Sequence, residues 1–304
     1  DDKENIAICK NFIDKINSFS NRDKIYLFLR LRVFVFGDPK NQSVFEEIVS
    51  HSSCCMSYIN KYQQIAIDFV DRYPFAKFMN KNQIDYDTSL IRDNVNINAF
   101  LIGFGKTNQE IFLTSVANNQ FITRGNNAPQ LKQVNYYIFD NKETENNKHL
   151  NHNYYRFKNE CSNINQDDYL PLPSYPAFEN YCHLDINNTD FYNQIKNIAN
   201  RNTNDENFII IAFGSDLENI DLAHKLVEKR KEWNISNFVI FVKVRSVAKE
   251  QEEEQKKLLL NDDKCFFFGY EEDVVYNIDN ITKSHLTQMA IMRNEIYSLE
   301  YLLT

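Results

Sequence analysis

Apolar residues along this chain follow two patterns. In some stretches they recur every three or four positions, the mark of a helix with one buried face. In others they run unbroken and stop at a turn residue, as strands buried on both faces do. Ile6, Cys9, Phe12, Ile13 and Ile16 set a helix over residues 1–18, broken at Asn21-Arg22-Asp23. A β-branched and aromatic run over 25–36 predicts a strand, ended by Gly37-Asp38-Pro39. A helix at 43–50, a short strand at 54–59 and a helix at 62–71, stopped before Pro74, come next. Residues 75–96 read as a polar connection.

The second part repeats the alternation at greater length. Strands are predicted at 97–102, 134–139, 181–186, 208–213, 238–244 and 265–268. Helices are predicted at 107–118, 190–200, 218–233, 248–260 and 280–303. A loop with Gly125 and Pro129 precedes the second of these strands. Residues 141–168 are polar and Asn-rich and read as a surface insertion, and residues 170–176, with three prolines, as a stiff connector. Strands alternating with helices predict an α/β fold with a doubly wound, mainly parallel Rossmann-like sheet.

A short repeat changes the domain picture. Asp2-Lys3-Glu4-Asn5-Ile6 matches Asp216-Leu217-Glu218-Asn219-Ile220 as D-x-E-N-I, each opening an amphipathic helix. A strand, a helix, a Cys-containing strand and another helix come after each copy. Residues 1–75 therefore read as the C-terminal half of a first Rossmann-like unit, incomplete by itself. Residues 76–96 are the connection, 97–285 a complete unit, and 286–304 a C-terminal helix. Half a sheet leaves strand edges and faces uncovered, so the chain reads as a fragment whose first glycine loop lies upstream.

Glycine carries the candidate chemistry. Only 6 of 304 residues are Gly, and Gly103, Gly105, Gly214 and Gly269 each stand just after a predicted strand. In an open parallel sheet those carboxyl ends line the ligand crevice. Ile102-Gly103-Phe104-Gly105-Lys106-Thr107-Asn108 joins a strand to a helix as a phosphate loop does. Its backbone amides would face an anion and Lys106 would add charge; the alternative is a tight turn without a ligand. Asp140, with Asn141 beside it, would take a ribose or simply end a strand. Gly214, Ser215 and Asp216 would meet a ligand across the crevice, or Asp216 with Asn219 would cap the following helix.

Composition narrows the partners. A net charge of -8 and the lack of a Lys/Arg run argue against nucleic acid. The 6 Cys form no CxxC pair and read as reduced core thiols of a cytosolic protein. No apolar run reaches the ~18 residues of a membrane span. His149 and His152 lack nearby ligands for a metal, and no nucleophile stands in a recognisable catalytic signature. Leu286, Met289, Met292, Ile296 and Leu299 suit a packed or dimerising helix, hence a homo-oligomer.

Taken together, Leu101-Ile102-Gly103-Phe104-Gly105, the strand ending at Asp140, and the run from Ile209 through Gly214-Ser215-Asp216 to Asn219 resemble the TrkA-N or RCK family. The stretch from Phe266 through His285 to Tyr297 is similar to the tail of bacterial proteins that join TrkA-N domains to a ryanodine-receptor-like repeat. The resemblance implies a nucleotide-binding regulatory module attached to an ion channel, transporter or other membrane effector. NAD(H) or another adenine nucleotide would be its ligand. Two departures stand out. The third fingerprint position is Asn108, where a side chain would push the helix out or crowd the pyrophosphate. Asp140 lies 35 residues past Gly105, against the usual ~20. A nicotinamide-dependent oxidoreductase and a scaffold with a closed pocket are the rival readings.

Overall fold

The computed structural model describes residues 2–20, 23, 32–37, 41–50, 55–125, 129–140, 181–183, 185–245, 259 and 262–277. The chain forms two compact units, Asp1–Gln64 and Ile65–Thr304. The predicted helices at 248–260 and 280–303 and the insertion at 141–168 fall almost wholly outside the described residues. Among the described residues no helix is long and apolar enough to cross a membrane.

The first unit holds α1 (Asp2–Asn17), β1 (Arg32–Gly37), α2 (Gln42–Ser50), β2 (Cys55–Asn60) and the start of α3 (Lys61–Arg72). β1 and β2 are parallel neighbours, as a helical crossover requires. Cys9, Ile13 and Ile16 of α1 meet Val35 of β1 and Phe45 and Ile48 of α2 in one small core. These are the residues whose helical spacing marked α1. The first residues of the strand expected at 25–36 lie outside the described set.

In the second unit, a 3₁₀ turn at Phe75–Phe78 leads to β3 (Ile84–Asp85) and β4 (Leu90–Ile91). Then come β5 (Ile97–Ile102), α4 (Lys106–Asn118), β6 (Phe121–Thr123), β7 (Gln130–Lys132) and β8 (Val134–Asp140). β9 (Tyr181–His183), α5 (Thr189–Ala199), β10 (Glu206–Ile211) and α6 (Asp216–Trp233) continue the chain. β11 (Phe238–Lys243), β12 (Cys265–Phe268) and the short α7 (Glu271–Val274) complete the described part.

Six strands form the main sheet in the order β12-β11-β10-β5-β8-β9, every pairing parallel. Numbered by appearance along the chain, this is 3-2-1-4-5-6 read from the β9 edge, the order of a dinucleotide-binding sheet. The fold is thus a Rossmann-like α/β fold. β5, β10 and β11 are buried at every position, which is why each reads as a nearly continuous apolar run. On one face Phe100, Ile102, Ile209, Ile211, Ile240 and Val242 pack against Phe191 and Ile195 of α5 and Ile220 and Leu226 of α6. On the other, Phe208, Phe241 and Phe266 meet aromatic rings from α3 and the 3₁₀ turn. Phe75 stacks on Phe208 at 4.0 Å, and Phe69 lies edge-on to Phe241 at 5.1 Å.

The polar stretches at 75–96 and 119–133 hold more than connections. β3, β4, β6 and β7 form a second, four-stranded sheet. Its β6–β7 hairpin is inserted between α4 and β8 and pairs Ile122 with Leu131. That insertion supplies the extra residues between Gly105 and Asp140.

Candidate functional site

The main sheet reverses direction between β5 and β10. From β5 the chain turns through α4 to β8 on one side; from β10 it turns through α6 to β11 on the other. The two loops leave these neighbouring strands at the carboxyl edge, where such sheets take ligands.

Gly103 and Gly105 hold their places for different reasons. Gly103 has φ +79°, and a Cβ built there would lie 2.3 Å from the Phe213 Cβ and 2.6 Å from its Cα. Only glycine fits this crossing of the two loops. Its N–H donates to the Phe139 carbonyl at 2.7 Å, so that amide is used within the sheet and does not face a guest. Gly105 is the N-cap of α4, with φ -71° and ψ 179°, a conformation open to any residue. A Cβ there would meet nothing within 4 Å. Gly105 has no side chain with which to cap α4, and the first-turn amides of a helix have no carbonyl in their own helix to bond. The helix dipole adds partial positive charge at the same point.

Around this opening the expected residues are distributed unevenly. Phe104 is buried, its ring edge-on to Phe112 at 6.4 Å, and forms the floor below the loop. Lys106 is exposed on the first turn. Thr107 is buried, and its Oγ1 accepts a hydrogen bond from the Lys243 Nζ at 2.6 Å. Lys243 ends β11 and is only 5% exposed. Its stem runs past Gly269, where a Cβ would come within 3.2 Å of the Lys243 Cγ. The buried Lys243 amine therefore stands one hydroxyl away from the first turn of α4. Sequence reading missed Lys243; the one available sign was a lysine closing the apolar run 238–242.

Asn108 corrects an expectation. Its side chain does not enter the crevice. It turns inward, fully buried, and Nδ2 donates to the Ile102 carbonyl at 3.0 Å and the Gly103 carbonyl at 2.6 Å. These bonds tie the first turn of the helix to the strand end.

Asp140 closes β8 beside β5, half-buried, one residue beyond the pair Ile102–Phe139. Asn141 lies outside the described residues.

The loop after β10 is sealed by the protein itself. Asn219 Oδ1 accepts from the Phe213 and Gly214 amides at 3.2 and 3.3 Å, and its Nδ2 donates to the Lys243 carbonyl at 3.0 Å. The cap of α6 is Ser215, one residue earlier than the expected Asp216. Ser215 and Glu218 bond each other's backbone amides in a capping box. Those bonds hold the Glu218 carboxyl below its ordinary range. Asp216 accepts from the Arg245 amide at 2.9 Å. Gly214, Ser215 and Asp216 thus build the wall of the crevice, with their polar groups turned toward the protein.

The carboxyl edge thus brings together the N-terminus of α4, the buried Lys243 behind Thr107 and the Asp140 carboxylate at the next strand end. Such a set has the chemistry to meet an anionic group and a hydroxyl-bearing one. No family model, curated protein or solved structure matches the chain.

Proposed function

We propose that the Rossmann-like unit binds a nucleotide or dinucleotide, NAD(H) or another adenine nucleotide, at the carboxyl edge between β5 and β10. The phosphates lie over Gly105 and the first turn of α4, Lys243 supplies charge through Thr107, and Asp140 takes a ribose hydroxyl. The observation that carries this is Gly105: neither backbone conformation nor neighbouring atoms require a glycine there, and the space in front is open. The resemblance to TrkA-N or RCK domains supports a sensor that passes ligand occupancy to an attached effector such as an ion channel or transporter. Such coupling needs the ligand to favour one arrangement of the protein over another.

Thermal unfolding with NAD, NADH, ATP, ADP and cyclic nucleotides tests the binding. A true ligand at a hundredfold excess over its Kd stabilises by about 2.7 kcal/mol, enough to raise the melting temperature by several degrees. Gly105→Asp is the decisive variant. An Asp suits this N-cap, so the unliganded protein melts at the same or a higher temperature. Its carboxylate occupies the phosphate position, so the nucleotide response disappears. If none of the panel moves the wild-type midpoint, the reading fails.

A further inference from the structure

The four-stranded sheet carries a cavity of its own. It measures about 290 Å³ and lies along the β3–β4 hairpin, the residues after it and the end of β6. That is the small end of the range for ligand pockets and suits a small metabolite rather than a dinucleotide. β6 follows the C-terminus of α4, whereas Gly105 caps its N-terminus. The 13 residues of α4 span roughly 20 Å, so the cavity is a separate place from the carboxyl edge of the main sheet.

Four charged side chains line it. β4 and β6 run parallel with Ile91 level with Thr123, so the next residues, Arg92 and Arg124, leave the two strands side by side. Asp93 follows Arg92, and Asp85 stands opposite Leu90 across the hairpin. No ion pair joins any two of these four. Their bonds run to neutral groups instead. Asp85 Oδ1 accepts from the Asp87 amide at 3.1 Å, and Asp93 Oδ1 accepts from the Thr123 hydroxyl and from the Gly125 amide at 3.4 Å. The Thr88 hydroxyl with the Asp87 amide holds the Asp85 carboxyl below its ordinary range, and the Thr123 hydroxyl does the same for Asp93. Both are therefore ionised at neutral pH. Arg92 donates from Nε and Nη2 to the Lys81 carbonyl at 3.2 and 3.1 Å, which fixes its guanidinium plane.

Two fixed charges of each sign define the guest. A plain anion would meet Asp85 and Asp93 as well as the arginines; a plain cation would meet both guanidiniums. A molecule that bears both charges gives each side chain its opposite. Leu90 and Ile91 add an apolar part to the lining. We propose that this cavity binds a free α-amino acid with an aliphatic side chain. Its carboxylate is held by Arg92 and Arg124, its ammonium by Asp85 and Asp93, and its side chain lies against Leu90 and Ile91. The inference is independent of nucleotide binding, since it shares no residue with the carboxyl edge.

Calorimetric titration of the full chain with L-leucine, L-isoleucine and L-valine tests it. At least one is expected to give a saturable heat. Two analogues of leucine separate its charges: 4-methylpentanoate lacks only the ammonium, and 3-methylbutylamine lacks only the carboxylate. Each is expected to bind about tenfold more weakly than leucine or worse, because two charged side chains lose their partner. Arg124→Gln, at an exposed position, leaves the melting temperature of the unliganded chain unaltered and weakens amino-acid binding by about tenfold or more. The proposal is overturned if none of the three amino acids gives a saturable heat, if either analogue binds as tightly as leucine, or if the affinity survives Arg124→Gln.

Discussion

Two glycines two residues apart test what a glycine is for. At Gly103 the backbone is left-handed and the Phe213 backbone occupies the space a side chain would need. Alanine there must both carry a strained φ and shift the β10 loop, and each of these costs about 1–3 kcal/mol. Gly103→Ala is therefore expected to destabilise the second unit by about 3 kcal/mol or more, measured by urea unfolding. Gly105→Ala meets no atom and no forbidden φ, and should cost under about 1 kcal/mol, the loss of a tolerable N-cap. Equal losses at the two positions would show that the open space at Gly105 is not there. The Gly-x-Gly spacing was legible in the sequence; which of the two glycines the loop crossing requires was not. That depends on a loop 110 residues later in the chain, at Phe213.

Among elements, legibility followed length and period. β5 and β12 begin and end where their apolar runs do, and β10 and β11 differ only at their ends, because strands buried on both faces leave an unbroken signal. β3 and β4 have two residues each, too few for any period, and their apolar content passed for loop. The amino edge of the sheet was equally hidden. Asn135, Asn98 and Asn207 stand level on β8, β5 and β10, and their carboxamides bond in a row at 3.1 and 3.0 Å. Beside them Glu206 opens β10, almost wholly buried. It accepts one bond from the Gln83 Nε2 at 2.6 Å, and its second oxygen has no partner. Burial raises its carboxyl to about 7, against the opposing pull of Gln83 and Lys264. A raised folded-state value means that the folded protein holds a proton the unfolded chain releases between pH 4.5 and 7. The associated stability is complete below pH 4.5 and is lost as pH climbs through 7, up to about 3 kcal/mol. Glu206→Gln is expected to match the wild type near pH 4.5 and to melt higher than it at pH 8. Parallel pH profiles for the two proteins would refute the assignment.

At the scale of the whole molecule, the two units are built to different depths. The first buries Cys9, Ile13, Ile16, Val35, Phe45 and Ile48 against two strands. The second buries the faces of a six-stranded sheet between α5 and α6 on one side and the aromatic rings of α3 and the 3₁₀ turn on the other. A unit of about 60 residues hides a smaller fraction of its surface than a larger one, and a two-stranded sheet is marginal by itself. Its opening free energy should therefore be the lower of the two. The chain carries a built-in reporter for the difference, because its one Trp, Trp233, ends α6 in the second unit. Far-ultraviolet dichroism senses helices of both units, whereas Trp fluorescence senses only the second. In a urea titration the dichroism signal is expected to begin falling at a lower concentration than the fluorescence, with α1 and β1 amides exchanging before those of β5 and β10. Coincident curves would mean a single cooperative block. In that case the depth of each core would not set its order of unfolding, and the division between Gln64 and Ile65 would be one of geometry alone.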